Sequence, residues 1–213
     1  MINLTLNEFL KQLASSSATP GGGSTAALTG ALGCALVEMT NNLTIGKEAY
    51  KDVEARMRED LETAVRLRTS FTELINEDIK AFNQLMAKYK LPKQSEEEKK
   101  IREAEIEKAL LKAAEVPLQV ARRSVELLKI AQVSAEMGNK NVVSDAVSGA
   151  LLAYAALQIG VLNVKVNVDL LKDSMVAAEL ESETKNLLKE GKRVVEAIIE
   201  KSGLSALATE GES

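Results

Sequence analysis

The chain contains no histidine, no tryptophan and a single cysteine, Cys34, among its 213 residues. Histidine is the usual acid/base group near neutral pH and the commonest nitrogen ligand of metal ions, so its absence excludes chemistry that depends on it. One thiol likewise excludes cysteine/histidine zinc sites and disulfide bonds within the chain. A carboxylate-bound Mg²⁺ or Ca²⁺ stays open by composition, although the sequence has no EF-hand pattern; our expectation is no metal and no other cofactor. Any proton transfer must use Asp, Glu, Lys, Tyr or the groups of a bound ligand.

Aromatic residues are also scarce, at 3% of the chain, although 46% of it is hydrophobic. A core built from Ala, Leu, Val and Ile suits helices that pack closely. The net charge of −4 argues against nucleic-acid binding, and the start of the chain has no signal-peptide pattern, which predicts a cytoplasmic protein. The uncharged run 146–164 approaches the length of a membrane span. Because it contains Ser148, Tyr154 and Gln158, it is predicted to be a buried central helix without membrane contact.

Apolar residues recur at helical spacing nearly throughout the chain, and no segment has the alternation of a strand. Capping-box patterns at 5–8 and 95–98 indicate two helix starts, Pro117 is expected to kink or interrupt the second of these helices, and 138–139 indicates a break. The predicted helices are 5–14, 24–43, 49–89, 95–137, 142–164 and 174–201. The sequence thus predicts one all-α domain at 1–204, an antiparallel bundle of five to six helices, with a flexible tail at 205–213.

Three consecutive glycines, Gly21, Gly22 and Gly23, open the second predicted helix. Glycine lets a ligand or a second chain approach the main chain closely, and Ser24 or Thr25 is expected to cap the helix. The alternative is a tight turn leading into a buried helix. The spacing fits neither of the common nucleotide phosphate loops.

Asp78 lies at the centre of the apolar stripe of the third predicted helix, between Ile75 and Phe82. A carboxylate that faces a core or a cleft is costly unless it is paired or hydrogen-bonded, and its pKa is often shifted, so Asp78 is a candidate site residue. The alternative is a buried ion pair with a Lys or Arg. Asp60 falls near the same stripe.

Two further polar clusters lie at opposite ends of the apolar helix. The first comprises Asn139, Lys140, Asn141, Ser144 and Asp145. Because Asp145 is the last charge before the uncharged run, we expect desolvation and a raised pKa, although capping by Ser144 or Asp145, with Asn139 as a C-cap, is the alternative.

The second cluster contains Asn163 and Asn167. Asp145 and Asn163 are separated by about 27 Å along a straight helix, so they cannot share a site within one chain. An antiparallel partner chain would bring the two ends together, which predicts a symmetric homodimer. Asn42 and Lys47 belong to another polar segment that is a candidate for the site. The alternative is that this segment only caps the C-terminus of the second predicted helix.

Together these segments resemble the formimidoyltetrahydrofolate cyclodeaminase family, which includes the related methenyltetrahydrofolate cyclohydrolases. The matching segments, in order, are 19–24, 42–47, Asp78 with 81–83, 91–92, 114–117, 138–139 with 144–145, and 163–167. The resemblance covers about residues 4–179 and implies an all-helical, dimeric enzyme with a folate pocket near the subunit interface. The glycines would then leave room for a pterin beside the main chain.

The resemblance implies cyclodeaminase activity as the first expectation. In that reaction N10 of tetrahydrofolate attacks the formimino carbon on N5, and ammonia leaves to give 5,10-methenyltetrahydrofolate. Asp145 or Asp78 is predicted to move the proton, and Lys47, grouped with them as a candidate catalytic residue, would hold the glutamate tail together with Lys140. The remaining predicted substrate-binding residues are Gly21, Gly22, Gly23, Ser24, Asn42, Asn83, Asn139, Asn141, Ser144, Asn163 and Asn167.

Two other functions stay open at this level. The first alternative is methenyltetrahydrofolate cyclohydrolase, in which water opens the methenyl ring to 10-formyltetrahydrofolate. The second is a non-catalytic helical dimer or a folate-binding protein. For the cyclodeaminase, a separate formiminotransferase is the expected partner that supplies the substrate.

Overall fold

The computed structural model describes residues 4–203, which form six α-helices, two short 3-10 helices and no β-strand. The α-helices are α1 (Leu6–Leu13), α2 (Gly22–Asn42), α3 (Glu54–Tyr89), α4 (Glu96–Met137), α5 (Val143–Val168) and α6 (Ser174–Ser202); the 3-10 helices are Glu48–Val53 and Lys140–Val142. The predicted all-α class is confirmed. The tail predicted at 205–213, and residue 204 before it, lie outside the described residues.

The helix starts that the sequence marks most clearly are confirmed. Thr5 and Glu8 form a capping box at α1, and Ser95 and Glu98 form one at α4. Each pair satisfies two backbone N–H groups that have no partner inside the helix. Gly138 ends α4, as expected from the predicted break.

Other expected boundaries are wrong. α2 begins at Gly22, so Ser24 and Thr25 lie inside its first turn rather than capping it. The predicted helix from residue 49 begins as a 3-10 helix with Tyr50 outside helical geometry, and the α-helix starts at Glu54. Ser144 and Asp145 also lie inside a first turn, because α5 begins at Val143 without a side-chain cap.

The helices alternate in direction around α5. α2 and α3 are antiparallel, since the start of α2 at Gly23 faces Asp78 near the end of α3, and Gly30 faces Phe71 one step further. α2 and α5 cross closely where Gly33 meets Gly149: a Cβ added to Gly33 would lie 2.9 Å from the Gly149 carbonyl oxygen. Glycine at both positions therefore allows the two backbones to approach.

α5 is the central helix of the bundle, as predicted, and contacts α2, α4 and α6. Ala150, Ala153 and Ala156 on it are fully buried. With the 3-10 helix before it, α5 has the length and apolar composition of a membrane span; within residues 4–203 no other helix does. A buried core helix has the same properties, and this helix is packed inside the bundle.

Pro117 does not interrupt α4, which runs without a break from Glu96 to Met137. A proline inside a helix lacks the N–H that would bond to the carbonyl four residues earlier, here that of Ala113. Asn167 of α5 donates a hydrogen bond from Nδ2 to this same carbonyl oxygen, at 3.3 Å. A side chain from the neighbouring helix thus satisfies the acceptor that the proline leaves free.

Candidate active site

The glycine segment brings the first turn of α2 against α3 and α5. A Cβ added to Gly23 would lie 2.0 Å from Asp78 Oδ1, and one added to Gly22 would lie 3.1 Å from Asn163 Nδ2. Asp78 can therefore reach the start of α2 only because residue 23 has no side chain. The close approach that the sequence suggested is made by two helices of the same chain.

Ser24 holds the Asp78 carboxylate at the start of α2. Its hydroxyl donates to Asp78 Oδ2 at 2.6 Å, and its backbone N–H also bonds to this carboxyl. Burial raises the pKa of Asp78, and the two hydrogen bonds from Ser24 oppose part of that rise because they favour the charged form. Asp78 is thus a half-buried carboxyl group whose proton affinity is greater than usual.

The two carboxylates on the apolar stripe of α3 have different environments. Asp60 is 3% exposed and accepts from Arg56 Nε at 2.9 Å, so it forms the ion pair that was the alternative for Asp78. No Lys or Arg among residues 4–203 pairs with Asp78. Of the two groups, Asp78 is the one available for chemistry.

Asn163 and Asn167 of α5 line the same cavity as Asp78. Asn163 Nδ2 donates to the Ile159 carbonyl at 2.8 Å, and Asn167 Nδ2 donates to the carbonyls of Asn163 and Ala113. Because backbone acceptors hold both nitrogens, both oxygens remain as acceptors for a ligand.

These groups line a cavity of about 330 Å³, within the range of small-molecule sites. Asp78 is the one carboxylate in its lining, and no lysine or arginine of the described chain lines it. Such a cavity favours a flat ring that donates N–H groups or carries positive charge. The lining residues are Ala18, Thr19, Gly21, Gly22, Gly23, Asp78, Ala81, Phe82, Leu85, Met86, Tyr89, Ala113, Pro117, Asn163, Val166, Asn167 and Leu170.

The polar cluster at the other end of α5 forms a separate group. Asn139 is buried and donates from Nδ2 to the Leu43 carbonyl at 2.9 Å, and its backbone N–H donates to Thr44 Oγ1. Lys140 donates from Nζ to the Glu136 carbonyl. Asn139 therefore joins the end of α2 to the segment before α5. It is not the C-cap of α4, as was predicted, because that position is occupied by Gly138.

The other candidate residues do not reach the cavity within one chain. Asn42, Lys47, Asn83, Asn141 and Ser144 are exposed, and Asp145 is half-buried in the first turn of α5. Their assignment to the substrate site remains a prediction. The cavity instead contains aromatic and apolar residues that were not among the predicted site residues, above all Phe82, Met86 and Tyr89. Helical spacing does not distinguish a core from a cavity wall.

Fold and site together define, over residues 4–203, an all-helical protein with a cavity of the size of a small-molecule site and one carboxyl group in its lining. The sequence profile of the formiminotransferase-cyclodeaminase family matches residues 5–186. The chain belongs to this family, and it is an enzyme that acts on folate one-carbon derivatives.

Among known relatives, the methenyltetrahydrofolate cyclohydrolase of Methylorubrum extorquens is 46% identical over 93% of this chain and 95% of its own length. The formimidoyltransferase-cyclodeaminase of Rattus norvegicus is 30% identical over 90% of this chain but only 36% of its own length. The crystal structure of a formiminotetrahydrofolate cyclodeaminase from Thermotoga maritima superposes with a TM-score of 0.81, at 33% identity, and covers 93% of this chain and 97% of that one. The predicted family is therefore confirmed.

Proposed function

We propose that this protein is a methenyltetrahydrofolate cyclohydrolase. The observation that carries the proposal is the 46% identity to a relative of that name across nearly the whole of both chains. The bifunctional formimidoyltransferase-cyclodeaminases are 28–30% identical and align with this chain over little more than a third of their length, and the Thermotoga maritima cyclodeaminase, which aligns over nearly its whole length, is 33% identical. The sequence analysis favoured the cyclodeaminase and kept the cyclohydrolase as the alternative; we now place the cyclohydrolase first.

The cavity supports hydrolysis of a cationic methenyl carbon. Water attacks that carbon, which lies between N5 and N10, and a base takes one of the water's protons. The tetrahedral intermediate then breaks its bond to N5, which receives the proton from that base, while the hydroxyl group releases its own proton to solvent and becomes the carbonyl of 10-formyltetrahydrofolate. In this proposal Asp78 is the base in the first step and the acid in the second.

The environment of Asp78 suits this role. Its raised pKa brings the group nearer to neutral pH, where one carboxyl can accept and return a proton. As a carboxylate it also stabilises the cationic substrate. The oxygens of Asn163 and Asn167 would accept hydrogen bonds from pterin N–H groups, and Phe82 provides an apolar wall for the ring.

We propose that the reaction needs no metal and no cofactor, because the substrate is already a cation and supplies the electrophile. Turnover should then be unchanged after dialysis against EDTA. A loss that Mg²⁺ or another divalent ion restores would contradict this.

The deciding experiment follows the absorbance of methenyltetrahydrofolate in two reactions. Enzyme-dependent loss of the chromophore from added methenyltetrahydrofolate, without its appearance from 5-formiminotetrahydrofolate, supports the cyclohydrolase. Appearance of the chromophore from 5-formiminotetrahydrofolate supports the cyclodeaminase, which the Thermotoga maritima structure keeps as the second candidate. In that case a separate formiminotransferase would be the expected partner. No change in either reaction contradicts both activities.

We also propose that the protein works as a homodimer in the cytoplasm. Leu32 and Met39 on α2 and Leu43 directly after it are exposed, and their intervals of 7 and 4 residues place them on one face. Leu151 and Leu162 are exposed on α5, and because they are 11 residues apart they also lie on one face of their helix. A second copy that covers these faces with its α5 antiparallel would bring the partner's Asp145 towards the cavity.

Mixed dimers test this arrangement. If Asp78 and Asp145 of opposite chains form one site, mixing the inactive variants Asp78→Asn and Asp145→Asn should restore activity, because one site per mixed dimer would be intact. An Asp145→Asn enzyme with normal turnover would show that Asp145 is not needed. A monomer in sedimentation equilibrium at assay concentrations would contradict the dimer itself.

A further inference from the structure

Arg102 of α4 lies against Tyr89, one of the residues that line the cavity. Its guanidinium carbon is 5.9 Å from the centroid of the Tyr89 ring, and Nη2 donates to the Tyr89 carbonyl at 3.1 Å. We propose that Arg102 forms the subsite for the carboxylate-bearing tail of the substrate. This inference rests on the proposed folate chemistry of the cavity and adds a residue that determines specificity.

Arg102 is held in place without a negative partner. Five of the eight arginines in the chain form an ion pair with a carboxylate; these are Arg56, Arg58, Arg66, Arg68 and Arg122. Arg102 forms none within residues 4–203, and its Nε is buried with no hydrogen-bond partner. Most of the donor capacity of this guanidinium is therefore unused, and a planar fork of N–H groups is well matched to a carboxylate.

The acidic residues near Arg102 in the sequence have other groups as their hydrogen-bond partners, although the Arg102 charge contributes to the lowered pKa of Glu103. Glu103 accepts from Lys172 at 2.6 Å, Glu105 pairs with Lys88 and Lys108, and Glu98 caps the start of α4. The chain thus leaves positive charge at the edge of the cavity. Since Lys and Arg are absent from the cavity lining, this edge is where a negatively charged tail would find a cation.

The distribution of charge along the cavity indicates how a bound folate would be oriented. Asp78 lies with the glycine segment at one end of the part of α3 that lines the cavity, where a cationic ring would be stabilised and a carboxylate repelled. Tyr89 lies at the other end, 11 residues further along α3 and so about 16 Å away along the helix axis. A folate bound with its ring near Asp78 would direct its glutamate towards Tyr89 and Arg102. Lys47 and Lys140, which were predicted to hold this tail, do not line the cavity.

The test compares two substrates that differ only in the tail: methenyltetrahydrofolate, and methenyltetrahydropteroate, which has no glutamate. Arg102→Gln should raise KM for the first about ten-fold, the usual cost of losing a hydrogen bond to a charged group. It should leave kcat and the KM for the second unchanged. Arg102→Lys should show an intermediate KM. The matched control is Arg193→Gln, because Arg193 is an exposed arginine on α6.

An equal rise in KM for both substrates would show that Arg102 only supports Tyr89, and no rise for either would show that the tail binds elsewhere; both results overturn the inference. Equilibrium binding of 5-formyltetrahydrofolate and 5-formyltetrahydropteroate gives a second measurement that does not depend on turnover. If the wild type binds the first more tightly and Arg102→Gln removes the difference, the subsite holds even if the proposed reaction fails. If the wild type binds both equally, the inference is wrong whatever the reaction.

Discussion

Gly23 and Asp78 are so close that a Cβ on Gly23 would lie 2.0 Å from Asp78 Oδ1. The carboxylate occupies the space that any other residue at position 23 would fill. The role of this glycine is thus to let a carboxyl group from α3 reach the hydroxyl and backbone N–H of Ser24.

Gly23→Ala should displace the Asp78 carboxylate and lower kcat by on the order of 100-fold, because small displacements of a catalytic group are costly. Steady-state turnover of methenyltetrahydrofolate measures this. Gly30→Ala is the matched control, since it adds a methyl group at the same interface of α2 and α3 but meets the ring of Phe71. We expect that variant to lose stability while the folded fraction keeps its kcat. Equal losses of kcat in the two variants would contradict a specific role for Gly23.

Asp78→Asn should reduce kcat by about 10²–10⁴-fold, the range for loss of a general acid/base. The helical circular dichroism should be unchanged, because an amide can still accept from Ser24. Asp60→Asn alters the other carboxylate on the α3 stripe, whose partner is Arg56. It should lower stability with little effect on kcat. Near-normal turnover in Asp78→Asn would rule out the carboxylate mechanism.

The activity should fall as the pH decreases through the raised pKa of Asp78, because the water-activating form is the carboxylate. Ser24→Ala removes a hydrogen bond that lowers this pKa. The acidic limb of the kcat/KM profile should therefore move to higher pH in Ser24→Ala. Thr29→Ala, whose hydroxyl bonds only to the Thr25 carbonyl, should leave the limb in place. A shift to lower pH in Ser24→Ala would contradict the assigned interaction.

The same raised pKa makes a prediction about stability. Because Asp78 binds its proton more tightly in the folded state than in the unfolded chain, its contribution to the free energy of unfolding is lost as the pH rises through the folded-state pKa. Asp78→Asn should thus have a higher Tm than the wild type at neutral pH. The difference should shrink as the pH falls below the ordinary aspartate range. Differential scanning calorimetry across this range measures it, and a Tm difference that grows on acidification would have the wrong sign.

Pro117 and Asn167 should be coupled in stability. Asn167→Ala leaves the Ala113 carbonyl without its donor, which costs about 1–3 kcal/mol for a buried group. In a Pro117→Ala background, residue 117 regains an N–H for that carbonyl, and the cost of Asn167→Ala should be smaller. Urea unfolding of the two single variants and the double variant completes the cycle. Additive effects would show that Asn167 does not replace the missing donor.

The helices could be predicted from the sequence because their signals are local. Thr5 with Glu8 and Ser95 with Glu98 define helix starts, since each cap involves residues three apart. That Pro117 does not interrupt α4 could not be predicted, for the opposite reason. The bond that repairs its helix comes from Asn167, 50 residues further along the chain.

The sequence by itself determined the all-helical class, the family and the candidate residues Asp78, Asn163 and Asn167. It could not decide which candidates meet, because helical periodicity places a side chain on a face without saying what packs there. Only the tertiary structure showed that Asp60 pairs with a cation, Arg56, whereas Asp78 accepts a hydrogen bond from Ser24 in the first turn of α2. The physical reason is that pKa and reactivity depend on burial and neighbouring groups, which come from distant parts of the chain.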